Sequence, residues 1–197
     1  MYPDSVRNLI DSLRNLPGIG EKSAERMAFS ILNFDNDKID DFAKSLTDVK
    51  KIKRCPICNN ITDMDKCYIC SNPNRKDDTI FVVEKAKDIV LFEKMGNYQG
   101  KYHVLNGLIS PLDGINPEDI NIDSLIKRVH DNGVKEVIIV LKPSIEGETT
   151  MQYIKKILAK YDVRVSKIPI GIPMGTDIEY IDPMTLEMAF EDRKDIS

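Results

Sequence analysis

Apolar residues recur every three or four positions at the start of the chain, with Val6, Leu9, Ile10 and Leu13 on one helical face before Pro17-Gly18-Ile19-Gly20 stops the helix. The same rhythm predicts a second helix over about residues 22–32. A third begins after Asn36, with Ile39, Phe42, Ala43, Leu46 and Val49 on one face. From Thr79 the pattern changes: residues 79–84 form a compact β-branched and aromatic run, 87–95 read as helix and 102–105 as a short strand. A long loop around Pro111, Gly114 and Pro117 leads to a helix carrying Leu125, Ile126 and Val129. Residues 137–141 are the strongest strand, apolar throughout, as strands buried on both faces are. A helix with Met151, Ile154 and Leu158, a strand at 163–168 and a closing helix with Leu186, Ala189 and Phe190 complete the pattern. Strands alternating with helices predict an α/β fold whose mostly parallel sheet is covered on both faces.

The helical start and the α/β part are separated by the only four cysteines, arranged as Cys55-Pro-Ile-Cys58 and Cys67-Tyr-Ile-Cys70 with eight residues between the pairs. Two tight turns, each presenting two sulfurs, and a connector able to fold back are what a tetrahedral Zn²⁺ site needs. The connector from Asn59 to Lys66 is polar and cannot cover a core, so the metal must supply much of the local folding energy. Disulfides would need a secretory route, and residues 1–10 lack the apolar centre of a signal peptide. A redox Cys-x-x-Cys would occur once, at a helix start. Four thiolates leave no open position for a substrate water, so the zinc is read as structural. The polar, turn-rich stretch 71–78 reads as a linker.

At 197 residues and 42% hydrophobic, the chain can bury one good core and one or two small satellites. No apolar run reaches membrane-span length, so no membrane association is expected and a cytoplasmic, nucleoid-associated location is. Residues 1–78 carry 13 Lys and Arg against 13 Asp and Glu, so residues 79–197 hold the whole net charge of −4. A generally basic nucleic-acid coat is thereby excluded. The run Lys50, Lys51, Lys53 and Arg54 leads into the first cysteine pair as a solvated basic face.

Leu16-Pro17-Gly18-Ile19-Gly20, followed by Ser23-Ala24 at a helix start, resembles the helix-hairpin-helix, a module that holds DNA backbone without reading sequence. Gly18 and Gly20 permit backbone angles that let successive N–H groups face one phosphate at the positive end of the following helix. Lys22 and Arg26, one turn apart, are placed to add charge-assisted contacts. The candidate DNA-binding set is therefore Gly18, Gly20, Lys22, Ser23 and Arg26. One hairpin meets few phosphates, so useful affinity implies several copies and a steep salt dependence.

Glu84 ends the first α/β strand, and Glu146-Gly147-Glu148 follows the strongest one. Ligand groups gather at the carboxyl ends of parallel strands, so three carboxylates there are candidate Mg²⁺ or partner-binding acids. The arrangement resembles the Toprim domain, except that Lys142-Pro143-Ser144 stands where active Toprim enzymes carry Asp-x-Asp; a lysine there competes with a metal. No catalytic residue is assigned. His103 and His130 read as packed or solvated, and no phosphate-loop motif supports an ATPase.

Taken in order, the hairpin, the cysteine knuckle, Tyr102-His-Val-Leu105, Gly107-Leu-Ile-Ser-Pro111 with Gly114 and Pro117-Glu-Asp119, Glu146-Gly-Glu148, and Gly171-Ile-Pro173 with Asp177-Ile-Glu-Tyr180 and Thr185-Leu186 resemble the RecR family of bacterial recombination mediators. The resemblance covers nearly the whole chain. It implies a helix-hairpin-helix region at 1–53, a four-cysteine zinc knuckle and linker at 54–78, a Toprim-like α/β domain at 79–168, and a C-terminal segment at 169–197 that packs on a neighbour or on the Toprim domain. It further implies a non-enzymatic, ring-like homotetramer that encircles DNA and acts with RecO and RecF to load RecA at single-strand gaps. By the same resemblance Lys22 and Arg26 contact DNA, and Glu84, Glu146 and Glu148 lie near the surface that meets RecO. Two positions depart from the family pattern: Lys142 replaces an asparagine, and Thr176 replaces a glycine, asking a β-branched residue to hold a glycine conformation. The alternatives are a small Mg²⁺-dependent Toprim nuclease using the three glutamates, and a zinc-stabilised adaptor whose hairpin meets only protein.

Overall fold

The structure is a computed structural model describing residues 2–169, 171–193 and 195. It divides into two compact units, Met1–Ile52 and Lys53–Ser197.

The first unit is helical: α1 (Asp4–Arg14), α2 (Glu21–Ile31) and α3 (Asn36–Asp48). Val6 and Ile10 of α1 pack on Ala24 and Ala28 of α2, with Leu9, Leu13 and Ile19 against them. Both alanines are fully buried, and their small side chains bring the two helix backbones close. Asp35 caps α3 by accepting from the Lys38 N–H at 2.8 Å. The apolar stripe of α3 buries no residue: Ile39, Phe42 and Leu46 all face outward.

The second unit opens with a two-stranded antiparallel ribbon, β1 (Lys53–Arg54) and β2 (Ile61–Thr62), and a one-turn helix α4 (Tyr68–Ser71). Then come β3 (Thr79–Val83), α5 (Ala86–Met95), β4 (Lys101–Val104), α6 (Asp123–Asp131), β5 (Glu136–Val140), α7 (Ile145–Leu158), β6 (Arg164–Lys167) and α8 (Pro183–Glu191). The last four strands form one parallel sheet in the order β4-β3-β5-β6. Strand alternation splits its residues between two layers. Ile80, Val82, Val137 and Ile139 face Leu125, Val129, Ile154 and Leu158 of α6 and α7. Phe81, Val83, Tyr102 and Val104 face Ile89 of α5 together with Cys55, Cys58, Cys67 and Ile69. The cysteine knuckle thus does the covering that a further helix would do in a sheet of this kind.

Residues 71–78, expected as a linker, are bonded along their length. Arg75 pairs with Glu93 and donates to the Gly100 carbonyl at 2.9 Å, Lys76 N–H donates to Gln99, and the Asp78 carbonyl accepts from Lys135 and Glu136. Knuckle and α/β domain therefore belong to one unit. The expected strain at Thr176 is absent: the left-handed residue of its turn is Gly175, at φ +82, and Thr176 is not among the positive-φ residues.

Candidate metal centre and nucleic-acid hairpin

The first cysteine pair sits in a turn closed by the Asn59 N–H donating to the Cys55 carbonyl at 2.9 Å and the Cys55 N–H donating to that of Asn60 at 2.7 Å. Asn59 takes the left-handed conformation, φ 60, that asparagine tolerates better than most residues. The second pair straddles α4: Cys67 is its N-cap, and the Cys70 N–H points at the Cys67 sulfur at 3.4 Å. The Cys67 N–H points at the Cys55 sulfur, also at 3.4 Å. N–H groups aimed at sulfur favour thiolates. All four sulfurs lie within 4.8 Å of one another. Zn–S bonds of about 2.3 Å in a tetrahedron place sulfurs roughly 3.8 Å apart, so the set fits a structural Zn²⁺ with all four positions filled by protein. Without the ion, the Cys58–Cys67 hydrogen bond pushes the Cys67 thiol down and the Cys58 thiol up.

Glu84 follows β3 and Lys142 follows β5, at the point where the chain's progression across the sheet reverses. Ligands of open α/β sheets bind at such places. Each candidate acid is engaged elsewhere. Glu84 pairs with Lys85 at 3.1 Å, Glu146 accepts from the Ser144 hydroxyl at 2.6 Å, and Glu148 accepts from the Gln152 amide at 2.7 Å. The Ser144 hydrogen bond holds the Glu146 carboxyl below its usual range. Among the described residues only the four cysteines form a close group of metal-type ligands, so the three glutamates do not converge as the sequence suggested. Lys142 lines two depressions, one of about 340 Å³ with Glu84 and one of about 240 Å³ with Glu148. Gly147 explains the local path: a Cβ there would lie 2.1 Å from the Lys142 carbonyl oxygen, so the start of α7 presses directly on this turn.

In the hairpin, Gly18 is left-handed at φ +80 and Gly20 is the N-cap of α2, with no side-chain cap bond. The Ile19 N–H closes the turn onto the Leu16 carbonyl at 3.1 Å, and its side chain packs on the α1–α2 core. The turn is thus both a packed corner and an uncapped helix N-terminus. Lys22 and Arg26 are exposed on α2, and Ser23 is half-buried. Part of the basic run beyond α3 is paired, Lys51 with Asp48 and Lys53 with Asp65.

Family models match in the order the fold presents its parts: RecR helix-hairpin-helix at residues 6–50, the RecR four-cysteine zinc finger domain at 52–72, Toprim domain at 78–169, and RecR C-terminal at 171–194. The chain belongs to the RecR family. Membership supports a recombination-mediator role, and the span of the RecR zinc-finger match contains all four convergent sulfurs. No helix among the described residues is long and apolar enough to cross a membrane.

Sequence reasoning missed Ser144 as the partner of Glu146, although serine just after a strand and ahead of two glutamates is a helix-cap signal. Lys101 and Arg128 carried no such signal. His103 is buried, its Nε2 donating to the Asn121 carbonyl at 2.7 Å while Nδ1 accepts from Arg128 at 3.3 Å. Burial, reinforced by the Arg128 charge, pushes its pKa down to about 3, so it is a neutral packing residue. His130 is exposed beside Asp131.

Proposed function

We propose that this chain is a non-enzymatic recombination mediator, a ring-like homotetrameric clamp that holds DNA backbone through its hairpins and acts with RecO and RecF to load RecA at single-strand gaps. The observation that carries this reading is the succession of hairpin, four-cysteine knuckle and Toprim fold in one family chain whose Toprim acids are separately engaged and share their surroundings with Lys142. The uncapped N-terminus of α2 with Lys22 and Arg26 supports backbone contact. The uncovered stripe of α3, continued by Val49 in the turn that follows it, supports assembly, since Leu46 and Val49 are 60% and 64% exposed. Glu84, Glu146 and Glu148 offer an acidic surface for RecO, and Mg²⁺ binding there is disfavoured by Lys142.

The test is binding of a labelled gapped duplex with Mg²⁺ across a salt series, with the same samples run on a denaturing gel. Intact DNA, and affinity that falls steeply with salt, are expected. Lys22→Ala with Arg26→Ala should lower affinity by about tenfold or more while zinc content is retained. Retained affinity would sink the hairpin assignment and favour a protein-binding adaptor. Cleavage that survives in this variant and vanishes in Glu84→Ala would identify a nuclease instead.

A further inference from the structure

A cavity of about 300 Å³ at the amino ends of the strands is lined by Ile57, Cys70, Asp77, Lys101, Arg128 and Asn132. Lys101, the first residue of edge strand β4, is only 5% exposed, and lysines are rarely so buried without a partner. Its ammonium group donates to the carbonyls of Ile69 and Asn72, each at 3.0 Å, and of Cys70 at 3.4 Å. All three donors are therefore directed at the turn that carries the last cysteine. The nearest carboxylate, Asp77, is 3.7 Å away and mostly solvent-exposed. Arg128 adds a second cation, bonded to the Tyr102 carbonyl at 2.7 Å and with no carboxylate partner among the described residues.

Two cations beside one exposed acid leave this wall positive. Cys70, the only one of the four cysteines not fully buried, lies on it. Zn²⁺ held by four thiolates carries a net charge of −2, which is the counter-charge that such a wall fits. The other end of β4 holds the other knuckle: the Val104 N–H donates to the Cys58 carbonyl at 2.9 Å, and the Asn59 amide donates to the Val104 carbonyl at 3.0 Å. Strand β4 thus grips both cysteine pairs.

We propose that Lys101 is a positioning residue of the zinc centre. Its ammonium fixes the turn that presents Cys70 and offsets the thiolate charge, so that zinc retention and the seating of the knuckle on β4 are one event. The role rests on the zinc assignment but not on DNA binding or on RecO.

The experiment measures zinc affinity by competition with a chromophoric chelator in the full-length protein. Lys101→Met, which keeps the stem and removes the charge, should weaken zinc at least tenfold, and Lys101→Arg should recover part of the loss. Met and wild-type values within twofold of each other would overturn the proposal. Should the Met variant fail to fold, the wild type decides by ¹⁵N NMR of its lysine ammonium groups. The Lys101 signal should be protected from solvent exchange in the zinc-loaded protein and lost when zinc is stripped; a signal indifferent to zinc would overturn the role. A wild type that binds no zinc at all would instead remove the metal assignment itself.

Discussion

Cys55, Cys58, Cys67 and Cys70 bring four sulfurs within 4.8 Å of one another, whereas Glu84, Glu146 and Glu148 are drawn into separate bonds with Lys85, Ser144 and Gln152. Both sets are ligand types at suggestive spacing, and both border the same sheet. The difference lies in what positions them. Each cysteine pair spans one turn, so local backbone geometry places its two sulfurs, and only one long-range approximation remains to be made. The glutamates come from the end of one strand and the first turn of a helix after another. Their meeting depends on strand order, on the turn at Lys142 and on side-chain competition.

The largest expected effect falls on the zinc side. Cys58→Ser should lose zinc and unfold the knuckle, because structural zinc in small sites supplies apparent binding energies of about 10–16 kcal/mol. Zinc content and far-UV circular dichroism would check it, and a stable zinc-free variant would make the cysteines as dispensable as the acids. Next comes acidification of the edge strand beside the knuckle. His103 ordinarily titrates near 6.5 and is held to about 3 in the fold, so between those values the unfolded chain binds a proton that the folded one refuses. Stability is therefore complete above about pH 6.5 and falls as pH drops through this window, by on the order of 5 kcal/mol at the limit. Denaturant midpoints against pH should show the slope, and His103→Gln should flatten it.

On the acid side the effects are smaller. Gly147→Ala should cost about 1–3 kcal/mol by pushing the start of α7 off the Lys142 carbonyl. Thermal unfolding measures the loss, and shifted amide resonances around Ser144 would locate it. Lys142→Asn, on the rim of both depressions, should change stability by no more than about 0.5 kcal/mol. It should also fail to produce Mg²⁺-dependent cleavage, since removing one cation does not bring three engaged carboxylates together. Mg²⁺ titration followed at Glu84, with a denaturing gel, would sharpen the point; cleavage would erase the contrast between the two regions.

Much of this was legible. The continuous apolar run at 137–141 corresponds to β5, buried between α6 and α7 on one face and less completely covered on the other. Pro17 to Gly20 announced the hairpin because glycine at φ +80 relieves a conformation that other residues avoid. The stripe on α3 was visible too, but periodicity records that a face is apolar and not what covers it. The docking of residues 71–78 was not legible, since Arg75 finds Glu93 and Gly100 only after α5 and β4 are in place. Nor did a lone lysine at position 101 announce a contact with carbonyls about thirty residues earlier.

The sequence by itself determined the three N-terminal helices, the strands and helices of the α/β part, the set of four cysteines and the family, because each rests on residues close together in the chain or on motifs in a fixed order; the β1–β2 ribbon and α4 within the knuckle carried no such pattern. Tertiary structure alone decided that the knuckle covers one face of the sheet, that Lys101 reaches its last turn, and that the three glutamates stay apart. Those outcomes depend on which distant segments come within about 3 Å of one another, where hydrogen bonds and charge become decisive. Local pattern sets the parts, and the pairing of β3 between β4 and β5 sets their neighbours.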